Sequence, residues 1–457
     1  MIARFAIGAA LFALATPALS QDFAITNATV ASGDGSAPME GATVVVRGGK
    51  VVAAGRSVAI PAGMQVTDGT GKWVTPGMFA AMTNLGLFDA GGVQESNDIS
   101  ARNSPFGAAL DVAPALNPAS QHVTVAREAG ITRASVYGAP ASTIFGGQGA
   151  VVDLGADPRM VVRPRAFQLV VLGEYGARVA GGSRVSAHAL LRNALREARQ
   201  YGSDARITGG RAPAPMQTGD DIPVDPRLVD NGATREDVLL TRFDAAALVP
   251  VVNGSQPLYV AVERASDIRA VLALRNEFSQ LKLVLVGATE GWLAASDIAA
   301  AGVPVIAQPL VDLPASFEQL GATQSNVGRM VAAGVKVAIG GLAGTTGDQP
   351  ANLPQYAGNL VALTKVPRAS GLTWGQAFAA ISSVPAEIAG YGGQFGTLAP
   401  GAAGDLVVWD GDPLELSSAA ERVFIDGVEQ PVAGHRTRLR DRYRDLEDAD
   451  QPKAYDW

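Results

Sequence analysis

Short apolar runs and longer stretches with helical periodicity alternate along residues 131–339. A continuous apolar run of five to seven residues fits a strand buried on both faces, and apolar positions recurring every three or four residues fit an amphipathic helix. Strands are expected at Ile131–Tyr137, Gly149–Leu154, Phe167–Leu172, Pro257–Glu263, Leu281–Val286, Val303–Ala307 and Val335–Ile339, preceded by one at Met78–Leu85. Helices are expected at Val185–Tyr201, Ser266–Phe278, Trp292–Ala301, Ser325–Ala333 and Thr373–Ser383. Eight strands separated by helices predict βα units around a parallel barrel, whose chemistry lies at the C-terminal strand ends.

Outside this region the pattern is that of small antiparallel strands. Phe23–Val30 and Val66–Trp73 read as strands, Ala42–Arg47 and Lys50–Ala54 as a hairpin turning at Gly48-Gly49, and Val423–Gly427 as a last strand. The glycine-rich Phe145–Ala150 lacks the lysine of a phosphate loop and reads as a structural turn. Residues 203–225, rich in Gly, Pro and Ala, read as a surface insertion, and the mixed-charge tail from Arg436 as an arm lying on the surface.

The first twenty residues carry one early positive charge, Arg4, an apolar run from Phe5 to Ala15, and small residues Ala18 and Ser20. That is the pattern of a secretory signal peptide cut before Gln21, with an apolar run too short for a bilayer span. The mature chain is expected to be exported, to a periplasm, with no membrane attachment after cleavage. It has no cysteine, which excludes disulfides and thiolate chemistry. A formal charge of −7 argues against nucleic acid as a partner.

The stretch Val74-Thr75-Pro76-Gly77-Met78-Phe79-Ala80-Ala81-Met82-Thr83-Asn84-Leu85-Gly86 resembles the entry motif V-x-P-G-[LF]-[IV]-D-x-H-x-H-x-G of the amidohydrolase superfamily. Gly396–Leu414 is similar to that family's G-S-L-x-P-G-x-x-A-D-L-V-V-x-D. The resemblance is nearest to the exported, imidazolonepropionase-like branch. It implies a (β/α)8 TIM-type barrel, residues 76–394, beside a composite β-sandwich built from residues 21–75 and 395–435. It also implies hydrolysis of a non-peptide or dipeptide-type carbon–nitrogen bond with zinc or another divalent metal.

The residues at the ligand positions depart from that implication. Met82 and Asn84 stand at the two first-strand histidines, Ala261 at the fifth-strand histidine, Gly287 at the sixth-strand histidine, and Leu342 at the eighth-strand aspartate. The chain has three histidines in all, His122, His188 and His435, none in an H-x-H pair, and no lysine between Lys72 and Lys282. His188 reads as a packing residue, His122 as a capping or surface group, and His435 as remote from the barrel. No metal or other cofactor is therefore expected. The carboxylates Glu174, Glu263 and Glu290 are the remaining weak candidates for catalysis, or for holding a hard cation through oxygens; as ordinary groups they would rim a polar pocket or pair with Arg264.

Two readings stay open: a metal-free pseudoenzyme serving as a binding or assembly module, or a carbon–nitrogen hydrolase with an atypical site. Self-association, pairing with a catalytically intact homologue, and a small-molecule ligand are the partners compatible with either.

Overall fold

The computed structural model describes residues 20–90, 92–207, 239–342, 349–432 and residue 439. The leader apart from Ser20, the 203–225 insertion from residue 208 onward, His435 and the tail apart from Leu439 lie outside these residues. Among the described residues no helix is long and apolar enough to cross a membrane.

The N-terminal strands are β1 (Phe23–Val30), β2 (Met39–Arg47), β3 (Lys50–Gly55), β4 (Gln65–Asp68) and β5 (Trp73–Pro76). β2 and β3 turn at Gly48-Gly49, where both residues take positive φ, 55° and 74°, as a tight hairpin turn requires. β4 and β5 both run parallel to β1, along its first and second halves respectively.

The barrel strands are β6 (Met78–Thr83), β7 (Ile131–Val136), β8 (Phe145–Asp153), β9 (Val161–Val171), β10 (Leu258–Val262), β11 (Leu283–Gly287), β12 (Val305–Ala307) and β13 (Val337–Ile339). They neighbour one another in chain order. Helix α1 (Gln121–Glu128) precedes β7, and α2 (Gly173–Val179), α3 (Arg184–Ile207) and α4 (Arg242–Val252) fall between β9 and β10. α5 (Ala265–Ala273), α6 (Ala295–Ala301) and α7 (Asn326–Ala332) follow β10, β11 and β12 in turn. α8 (Leu353–Ala362), α9 (Trp374–Ala379) and α10 (Ser383–Ile388) come after β13.

Period-two alternation sorts the side chains into two apolar layers. On β10, Leu258, Val260 and Val262 enter the layer between strands and helices, while Tyr259 and Ala261 point inside the barrel. The interior is filled by Phe79, Phe167, Leu169, Tyr259, Val286 and Ile306 among others, with Phe167 and Tyr259 stacked at 4.2 Å.

Three expectations are corrected here. The barrel is not all parallel: β8 runs antiparallel to both β7 and β9. The glycine-rich Phe145–Ala150 is no turn but the first part of β8, because its glycines let neighbouring side chains lie over the strand. The single helix expected at Thr373–Ser383 divides into α9, which Thr373 and Gln376 start with a capping box, and α10. The break between them closes the barrel: the Ile339 N–H donates to the Ala380 carbonyl at 2.9 Å, and the Phe79 N–H to the Ile381 carbonyl at 3.0 Å.

The last strands, β14 (Leu406–Trp409), β15 (Ala420–Ile425) and β16 (Val428–Gln430), join the N-terminal sheet. β14 pairs antiparallel with β5, setting Val407 opposite Thr75, and Trp409 Nε1 donates to Thr75 Oγ1 at 3.0 Å across the seam. Phe23, Val44, Val74, Leu406 and Phe424 supply the apolar core of this second sheet.

Candidate active-site mouth

The C-terminal ends of the barrel strands carry the residues singled out from the sequence. Met82, on β6, is buried in the inner apolar cluster together with Ala261, and Leu342 packs partly buried against the same cluster. Asn84, one residue past β6, is 1% exposed; its Nδ2 donates to the Tyr137 carbonyl at 2.7 Å, while its Oδ1 has no hydrogen-bond partner.

Gly287 ends β11 with φ +86°, and the Glu263 carboxylate lies directly over it. A Cβ built on Gly287 would stand 2.1 Å from Glu263 Oε1, so any side chain at this position meets the carboxylate. Glu263 follows β10 and is held there by Thr289, whose backbone N–H donates to Oε2 at 2.9 Å and whose hydroxyl donates to the same oxygen at 2.5 Å. Burial pushes the Glu263 carboxyl above the usual carboxylate range; the Thr289 bonds oppose the rise and the Glu318 charge adds to it.

Glu290 is engaged by the backbone on both carboxylate oxygens. Its Oε2 accepts the Ala265 N–H at 3.0 Å and its Oε1 the Gly321 N–H at 2.9 Å, so the side chain starts α5 and pins the loop after β12. Glu174, the second residue of α2, has a side chain 40% exposed and stands 3.9 Å from Arg184 Nη2. No ion pair to Arg264 is formed by any of these three acids; the cation that organises this region is Arg184.

The structure adds residues that the sequence did not single out. Glu318, in the loop after β12, reaches across to α2, where its Oε2 accepts the Glu174 N–H at 2.7 Å and an Arg184 N–H at 3.0 Å. Burial raises the Glu318 pKa, against the Glu174 N–H and Arg184. Arg184 also donates from Nε to Asp267 Oδ2 at 3.0 Å, and His188 Nε2 lies 3.8 Å from Asp267 Oδ1. His188 is therefore the edge of an ion-pair network and not only a packing residue. Although burial opposes it, the His188 and Arg184 contacts hold Asp267 below the usual carboxylate range. His122 lies in the first turn of α1, its ring tilted against Phe88 with centroids 4.2 Å apart and Nε2 3.1 Å from the Asp89 carbonyl oxygen, while Ser120 makes the cap. No periodicity signalled Glu318, because a loop acid contributed across such a sequence separation leaves no pattern.

The fit of these side chains to a divalent metal is poor. A thioether, two aliphatic groups and a glycine supply no nitrogen or oxygen donor, and the Asn84 amide is turned to a backbone carbonyl by its nitrogen. Among the described residues no group of three or more His, Asp or Glu side chains is disposed to hold a metal ion.

Comparison with known proteins agrees with the fold. A crystal structure of an amidohydrolase from Thermotoga maritima MSB8 superposes with a TM-score of 0.73 at 24% identity, covering 89% of this chain and 99% of that one. Molinate hydrolase superposes with a TM-score of 0.52 at 15% identity, over 91% of this chain and 96% of that one. A curated sequence, Amidohydrolase tasK of Hapsidospora irregularis, is 40% identical over 60 residues, which span 13% of this chain and only 6% of that protein. The Amidohydrolase family model matches residues 162–429, more than half of the sequence, and the chain belongs to the amidohydrolase family.

Proposed function

We propose that this family member works without a metal and keeps its barrel as a binding or assembly module. The observation that carries the reading is the Glu263 carboxylate lying over Gly287, in the space a sixth-strand side chain would need. Met82, Ala261 and Leu342 support it by closing the neighbouring positions with apolar groups, which leaves no unpaired polar atom of their own at the barrel mouth. Export to a periplasm, and pairing with a second copy or an intact homologue, belong to the same proposal and rest on the leader pattern and on the loss of ligands.

The test is metal content per mature chain, beginning at Gln21, after exposure to zinc, manganese and iron and measured by elemental mass spectrometry. Less than about a tenth of an equivalent is expected, since a structural or catalytic site of this kind binds stoichiometrically. A full equivalent overturns the proposal.

A second reading is favoured by one observation. Glu263 is a buried carboxyl with a raised pKa, beside Thr289 and the second acid Glu318, which is the environment of a general acid. On that reading the protein is a metal-free carbon–nitrogen hydrolase, and Glu263→Gln abolishes a turnover that the wild type shows. A module has no turnover to lose.

A further inference from the structure

The end of the barrel opposite the mouth holds a cavity of about 410 Å³. Its walls are the N-terminal ends of β10 to β13, the start of β9 and the residues that end α10. Val284, an interior residue of the barrel, lines it together with Ile388. Four cations, Arg163, Arg275, Lys282 and Lys336, line it together with a single carboxylate, Glu387. The concentration of positive charge is notable in a chain whose formal charge is −7.

Two of the four cations have structural partners. Arg275 Nη1 donates to the Ala301 carbonyl at 2.6 Å, capping the C-terminal end of α6, where a cation complements the helix dipole. Lys336 pairs with Glu387. The other two are different: among the described residues Arg163 and Lys282 make no ion pair and no side-chain hydrogen bond. Arg163 instead lies near the phenols of Tyr259 and Tyr391. Two unpaired cations gathered with two paired ones around one concavity repel each other, and among the lining residues only Glu387, already paired with Lys336, carries the opposite charge.

We infer that this cavity is a binding site for a small anion carrying two or more carboxylate or phosphate groups. Arg163 offers a planar fork suited to either group, Lys282 a point charge, and Val284 with Ile388 an apolar seat for the carbon body. The site is a binding and not a catalytic one, since chemistry in this fold takes place at the C-terminal ends of the strands. It goes beyond the function proposed above and stands whether or not the mouth is active, because the two lie at opposite ends of the barrel.

Isothermal titration calorimetry on the mature chain, with citrate in one series and inorganic pyrophosphate in another, tests this at low ionic strength. Saturable binding with a Kd of about 1 mM or tighter is expected for at least one, and the tighter of the two names the acid group preferred. Added sodium chloride weakens it, as screening of a charged site requires. Arg163→Gln with Lys282→Gln lowers the affinity by about tenfold or more. Glu387→Gln raises it, because the cavity loses its one negative charge; a merely structural role for the basic residues would not produce that gain. If the double variant melts early, the exposed Lys282→Gln alone decides, with a smaller loss expected. No saturable heat with either anion overturns the inference, as does binding that the Arg163 and Lys282 changes leave untouched or that Glu387→Gln fails to strengthen.

Discussion

At the scale of single residues, the informative contact is the one between Glu263 and Gly287. Glycine at this position satisfies two demands together, a left-handed backbone and the absence of a Cβ against the carboxylate. Gly287→Ala is therefore expected to lower stability by about 2 kcal/mol or more, combining backbone strain with the clash. Glu263→Ala in the same chain removes the clash and leaves the strain, so the double variant loses less than the two single changes together, by about 1 kcal/mol. Denaturant unfolding of the four proteins measures this; strict additivity would mean that the carboxylate yields freely. The sequence located Glu263 and Gly287 on the strand ends but gave no sign that one covers the other, since that relation is made by two adjacent strands and the Thr289 bonds that aim the side chain. Glu290 shows the complementary limit. An acid at a strand end looks chemical in sequence, and only its two backbone N–H partners identify it as a brace.

At the scale of elements, strand positions were legible and strand direction was not. All eight barrel strands fall where apolar runs stand in the sequence, because burial on both faces leaves a continuous apolar signature. That signature has no polarity, so β8 could not be recognised as antiparallel from it. The glycines around Gln148 hid the first part of β8 by imitating a turn, so that the expected strand began only at Gly149. Their role is spatial: a Cβ on Gly149 would stand 2.1 Å from the ring of Phe167, which is itself stacked on Tyr259 and has little room to withdraw. Gly149→Val is expected to cost about 1–3 kcal/mol through overpacking of the barrel interior. A thermal melt of the variant indistinguishable from the wild type would show that the ring can move aside.

At the scale of the whole molecule, one arginine ties the two sheets together. Arg133, on β7 of the barrel, donates from Nε to Asp405 Oδ2 at 2.7 Å and from Nη1 to Asp153 Oδ2 at 2.6 Å, with Asp426 2.8 Å from its Nη2. Asp405 precedes β14 and Asp426 follows β15, so the knot joins the barrel to the sheet made by both chain ends. Three carboxylates share one guanidinium, which leaves an excess of negative charge. Burial pushes Asp153 up to about 6, against Arg133 and the Gly155 N–H, with Asp405 and Asp426 adding to the rise. Because the folded value lies above the ordinary 3.8, the stability contributed by protonating Asp153 is fully present below that value and is lost as pH rises through about 6. Asp153→Asn removes this dependence. Its melting temperature relative to the wild type should be higher at about pH 7.5 than at about pH 5, and an unchanged difference between the two would show that Asp153 does not titrate in this window.

By itself the sequence determined the placement of the buried strands and the scarcity of histidine, because both are written in residue type and local spacing; the meeting of the two chain ends in one sheet was implied only by the family resemblance. Only the tertiary structure decided the direction of β8, the closure of the barrel through Ala380 and Ile381, the Glu263 carboxylate over Gly287 and the basic cavity at the far end. The physical reason is common to all four: each depends on groups far apart in the chain brought within a few ångströms, and the free energy of such contacts acts on distance in space, of which the local pattern carries no record.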